Sequence, residues 1–81
     1  MVATGKNRTE PVVGSLQVQV NGRPERLQAG TTIAQLLESM QLGKQRCAVE
    51  VNQQLVRRER HGSHELKDGD KIEVVTLVGG G

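Results

Sequence analysis

The chain ends in Gly79-Gly80-Gly81, and the reactive group of that tail is the α-carboxylate of Gly81. A carboxylate is a poor electrophile at neutral pH. A partner that converts it with ATP to an acyl-adenylate opens the carbonyl to a sulfur nucleophile, with AMP as leaving group. The product is then a thiocarboxylate, whose sulfur is itself a good nucleophile. Covalent storage of this kind divides one difficult transfer into easier steps. It uses no side chain of this protein, so no catalytic residue is expected. Glycine suits such a tail because it has no Cβ, so it passes a narrow channel and accepts φ of either sign. Val78 to Gly81 can extend about 13 Å, at about 3.3 Å per residue. Terminal glycines also occur as frayed ends. This tail gains weight by following an apolar alternating segment directly, although its composition does not identify sulfur as the cargo.

Other residues compete for a chemical role. Cys47 is the single cysteine, a conceivable redox or sulfur-relay thiol. It runs in phase with Val49 and Val51, where a cysteine packs as a small hydrophobe. His61 and His64 are spaced i, i+3, but two ligands without a third are not a metal site. They are read as solvated loop, and no metal is expected. Arg57, Arg58 and Arg60 form a basic cluster interrupted by Glu59, read as solvated surface rather than a docking site. Asp68 and Asp70 flank Gly69; with no cleft to work in, they are read as turn residues.

The elements that position the tail follow from periodicity. Leu16-Gln17-Val18-Gln19-Val20 alternates as a strand with one face on a core. Asn21-Gly22 is a type I′ hairpin signal. A short return strand is expected around Glu25-Arg26-Leu27, with Pro24 just before it marking a sheet edge. Thr32 and Gln35 have capping-box spacing. Ile33, Leu36, Leu37 and Met40 then form one helical stripe, with Gly43 as the stop. Cys47, Val49 and Val51 mark a third strand, Asn52-Gln53 a turn and Leu55-Val56 a short fourth strand. Residues 57–65 are polar and expected to be irregular. The last strand is Lys71–Leu77, with Ile72 and Val74 on one face and Val75 and Leu77 on the other. The order describes an α+β fold, a mixed four- to five-stranded sheet grasping one helix, which fits a β-grasp. Only one face of the last strand can belong to the core; the other offers an apolar patch to a partner.

Length and composition bound the rest. Eighty-one residues make one domain, which buries only about 60% of its unfolded surface and has no room for a two-lobed cleft. The expected division is a disordered leader or expression remnant over 1–14, the β-grasp over 15–78 and the tail over 79–81. There is no Phe, Tyr or Trp, so stacking platforms for single-stranded nucleic acid are lacking. The net charge of +2 gives no strong footprint for nucleic acid or an anionic membrane. No internal disulfide can form, the first residues lack the apolar core of a secretory signal, and no segment approaches the ~20 apolar residues of a membrane span. A cytoplasmic location is expected.

From Leu16 onward the chain resembles the sulfur carrier proteins of bacterial thiamine biosynthesis, the ThiS family. The matching stretches are Val18-Gln19-Val20-Asn21-Gly22, Gly30-Thr31-Thr32-Ile33 with Leu36-Leu37, and Ala48-Val49-Glu50-Val51-Asn52-Gln53-Gln54-Leu55-Val56. Asp68-Gly69-Asp70-Lys71-Ile72 and the three terminal glycines complete them. The resemblance implies a ubiquitin-like fold whose C-terminal glycine is adenylated by an E1-like adenylyltransferase with ATP. A cysteine desulfurase then supplies the sulfur of a thiocarboxylate, and thiazole synthase takes that sulfur into the thiazole ring. Gly81 would be the modified residue, Gly79 and Gly80 would thread the partner's channel, and Val75, Leu77 and Val78 would contact partners. No cofactor is implied. The resemblance departs after Val56, where Pro-Arg followed three residues later by Trp is usual and Arg57-Arg58 and His61 stand instead. The rival carrier is the small subunit of molybdopterin synthase, usually aromatic in its first strand and helix. A β-grasp binding module that transfers nothing is the rival from another class.

Overall fold

The structure, a computed structural model, describes residues 14–77. Val78, the three terminal glycines and nearly all of the leader expected over 1–14 lie outside the described residues. Gly14, at the edge of that leader, accepts a hydrogen bond from the Ala29 N–H beyond the end of the first hairpin.

The strands are β1 (Ser15–Val20), β2 (Arg23–Gln28), β3 (Cys47–Val51), β4 (Gln54–Val56) and β5 (Lys71–Thr76), with one helix, α1 (Ile33–Ser39), between β2 and β3. They form a single sheet in the order β2-β1-β5-β3-β4. β1 and β5 run parallel at its centre, and the other neighbours are antiparallel. The result is a mixed five-stranded β-grasp. The alternation expected in β1, β3 and β5 holds, with Val18, Val20, Val49, Val51, Ile72 and Val74 all turned into the core against Ile33, Leu36 and Leu37 of α1.

Asn21 and Gly22 have φ of 52° and 82°, the pair of positive angles a type I′ turn requires. Asn21 also ties the hairpin to the last strand. Its backbone N–H donates to the Ile72 carbonyl at 2.8 Å. Its side chain accepts from the Val74 N–H at 2.7 Å and donates to the Val74 carbonyl at 3.3 Å. One side chain thereby extends the short β1–β5 ladder by a rung.

β2 is longer than expected and includes Pro24, which pairs with Gln19. The Gln19 N–H donates to the Asp70 carbonyl at 3.0 Å, so Gln19 faces β5 and its partner Pro24 faces the open edge. The proline therefore interrupts no ladder bond.

The capping box is present, with the Gln35 N–H on Thr32 Oγ1 at 3.2 Å and the Thr32 N–H on Gln35 Oε1 at 3.0 Å. The helix ends earlier than Gly43. Met40 is its C-cap, and the N–H groups of Gln41 and Leu42 donate to the carbonyls of Glu38 and Leu37 at 2.9 and 2.8 Å. These are the two bonds of a Schellman motif, with Gln41 in the left-handed position at φ 64°. Glutamine carries no sequence signal for that conformation, which is why the nearby glycine looked like the stop.

The polar stretch after β4 holds a 3-10 turn over Arg58–Arg60 and then folds across the start of α1. His61 corrects the expectation of a solvated loop. It is only 7% exposed, and its Nε2–H donates to the Val56 carbonyl at 3.0 Å. Leu66, at 3% exposed, is a core residue that periodicity did not reveal. The carbonyls of His64 and His61 accept the Ile33 and Ala34 N–H groups at 3.1 and 2.9 Å. With the cap they satisfy the free donors of the first helical turn.

Candidate functional site

The strand that carries the tail is held from both sides. β5 pairs with β1 on one edge and with β3 on the other, from Cys47 opposite Thr76 to Val51 opposite Ile72. The ladder continues one residue past β5, where the Leu77 N–H donates to the Arg46 carbonyl at 2.8 Å. The course of the chain is thus fixed up to the residue before Val78. At the other end of β5, Asp68 Oδ1 accepts the Gln17 N–H at 2.7 Å. Asp70 accepts from Asn52 Nδ2 at 2.9 Å and from the Lys67 N–H at 2.8 Å, and the Lys71 N–H donates to Asn52 Oδ1 at 3.0 Å. Both aspartates are therefore turn residues, stitching the start of β5 to β1 and to the β3–β4 turn.

On the face of the sheet away from α1, Val75 is 57% exposed and Leu77 52%. Leu55, on β4 opposite Glu50, is 65% exposed and extends this face toward the sheet edge. Both described members of the expected partner-contact set, Val75 and Leu77, thus share one outer face beside the root of the tail. Val78, Gly79, Gly80 and Gly81 lie outside the described residues. Sequence reasoning passed over Leu55 because a three-residue strand shows too little alternation to assign its faces.

The competing residues are not assembled into chemistry. Cys47 is a free, partly buried thiol packed against the core. Arg57, Arg58 and Arg60 are exposed; Arg57 and Arg60 border a shallow cleft with His64 and Lys67, and Arg58 faces a separate one beside His61. Among the described residues no group of three or more His, Cys, Asp or Glu is placed to hold a metal ion. No helix of the described residues is long and apolar enough to cross a membrane.

A five-stranded sheet grasping one helix, with its last strand leading into a glycine tail, defines a ubiquitin-like β-grasp protein. The ThiS family model matches residues 18–81. The chain belongs to the ThiS family. It is 42% identical over 65 residues to the sulfur carrier protein ThiS of Bacillus subtilis, covering 79% of this chain and 98% of that one. It is 38% identical over 66 residues to a thiazole synthase of Magnetococcus marinus, covering 82% of this chain but only 20% of the relative's length. Against the crystal structure of the thiamine biosynthesis protein ThiS from Geobacter metallireducens the TM-score is 0.69 at 28% identity, over 82% of this chain and all of that one. These relatives favour the thiamine carrier over the small subunit of molybdopterin synthase.

Proposed function

We propose that this protein carries sulfur for thiazole formation in thiamine biosynthesis, as a thiocarboxylate on Gly81. An E1-like adenylyltransferase joins the Gly81 carboxylate to AMP from ATP with release of pyrophosphate. A sulfur nucleophile supplied through a cysteine desulfurase then displaces AMP. Thiazole synthase draws the sulfur from the resulting thiocarboxylate, with Gly79 and Gly80 passing the partner's channel. Val75, Leu77 and Val78 contact both enzymes in turn, in the cytoplasm. The protein is a co-substrate in this scheme and supplies no catalytic side chain.

The observation that carries the reading is the last strand. It is held on its β3 edge as far as Leu77 and on its β1 edge as far as Val74, shows an exposed apolar face at Val75 and Leu77, and has Val78 alone between its last bonded residue and the three glycines. The thiazole synthase relative contains a segment similar to this chain within its own longer sequence, which supports association with that enzyme. The test is the intact mass after incubation with ATP, the adenylyltransferase, a desulfurase and cysteine. A gain equal to sulfur replacing oxygen is expected, and it should vanish when Gly81 is deleted. An unchanged mass, with both enzymes active on another carrier, would sink the proposal.

A further inference from the structure

We infer that the outer face of the sheet docks a protein surface that joins an apolar patch to a basic side chain, and that Glu50 and Glu73 select that basic group. The inference rests on the carrier reading and adds the chemistry of the partner. Glu50 stands directly opposite Glu73 in the β3–β5 register. The bonds from the Asn52 N–H to the Lys71 carbonyl and from the Leu77 N–H to the Arg46 carbonyl fix the alternation along these strands. They make Glu50 and Glu73 a hydrogen-bonded pair, with Cα atoms about 5.5 Å apart and both side chains on one face. Like charges so placed destabilise a sheet. Neither carboxylate has a hydrogen-bond or ion-pair partner among the described residues.

The pair is set into the apolar face. Val75 and Leu77 follow Glu73 at two-residue steps on the same side of β5, and Leu55 lies opposite Glu50 on β4. Lys71 lies two residues before Glu73, Arg46 lies opposite Leu77, and Arg26 lies opposite Gln17 on the edge strand β2; among the described residues none of these basic groups is paired with either carboxylate. A partner that covers Val75 and Leu77 also removes water from the neighbouring carboxylates. Covering unpaired charge is costly, so a purely apolar or acidic surface is disfavoured. A guanidinium or ammonium group brought between the two carboxylates relieves their repulsion and satisfies their oxygens. Discrimination then comes from the penalty on wrong partners as much as from attraction to the right one.

The test titrates the full chain and its Glu73→Gln, Glu50→Gln/Glu73→Gln and Val75→Asp variants into the E1-like adenylyltransferase of the same organism. Binding is followed by calorimetry at two salt concentrations, with thermal unfolding of each variant alongside. The glutamine variants should keep or raise the unfolding temperature while binding about tenfold or more weakly, with a flatter salt dependence. Glutamine variants that bind like the parent while Val75→Asp fails would overturn the role of the pair and leave the carrier reading intact. Variants that lose unfolding temperature and affinity together would mark the pair as structural and overturn it too. A parent chain that runs as a dimer, split by Val75→Asp, would assign the face to a second copy. If Val75→Asp binds and gains sulfur like the parent, the face is no docking surface and the inference fails. A parent chain that never gains sulfur marks failure of the carrier reading itself.

Discussion

At the scale of single residues, Gln41 is one of two glutamines, with Gln53, whose backbone lies in the left-handed region among the described residues. It holds φ 64° at the exposed position just after the Met40 C-cap, where both Schellman bonds are made, so its backbone is fixed by the motif and its side chain by nothing in the core. A left-handed conformation costs an L-residue roughly 1–2 kcal/mol, and glycine avoids that cost while loosening the unfolded chain by about 0.4–1 kcal/mol. Gln41→Gly should therefore raise stability by about 0.5–1 kcal/mol, seen as a higher urea midpoint at unchanged slope. A lower midpoint would show that the glutamine side chain contributes something the hydrogen bonds do not reveal. His61 is the opposite case, a polar residue whose type suggests surface and whose position is interior. It is held there by its bond to Val56 and by the loop that closes over α1.

At the scale of elements, the pairing of the first hairpin with the last strand is extended to Val74 by Asn21. Asn21→Gly keeps a residue suited to the positive φ of the turn and removes both side-chain bonds to Val74. A net loss of about 1–2 kcal/mol is expected, since each bond contributes roughly 0.5–1.5 kcal/mol. Hydrogen exchange should show the Val74 amide losing protection more than the Val49 amide, which sits across the β3–β5 ladder. Equal loss at both would mean that the hairpin and strand are not coupled through this side chain. Elements with local causes were legible in the sequence: the Asn21-Gly22 turn, the Thr32–Gln35 box and the alternating faces of β1, β3 and β5. The helix end, Leu66 and buried His61 were not. A Schellman motif built on glutamine has no compositional mark, and residues 57–66 have no period, because their burial comes from folding across a helix distant in sequence. β2 ran past Pro24 because the outer edge removes the penalty that a central strand would impose. Val75 and Leu77 were readable from alternation alone, whereas the opposition of Glu50 and Glu73 depends on register, which one strand's sequence does not state.

At the scale of the whole molecule, the fold and the proposed chemistry are carried by different parts of the chain. The core closes within the described residues, from Val18 to Val74, while the reactive carboxylate belongs to Gly81. Two variants that both reduce sulfur loading should therefore do so for separable reasons. Deleting Gly79–Gly81 removes no side chain from the core, so its unfolding free energy should stay within about 0.5 kcal/mol of the parent while loading is lost. Leu66→Ala leaves the tail untouched but opens a cavity beneath α1, at an expected cost of about 2–5 kcal/mol. Against a total of about 5–15 kcal/mol for a typical domain, that loss lowers loading only through the fraction unfolded. Cooling or an osmolyte that refolds Leu66→Ala should restore its mass gain, and neither should rescue the tail deletion. A tail deletion that unfolds at a markedly lower denaturant concentration would show that the terminal residues contribute to the fold, and the division of labour between sheet and tail would fail.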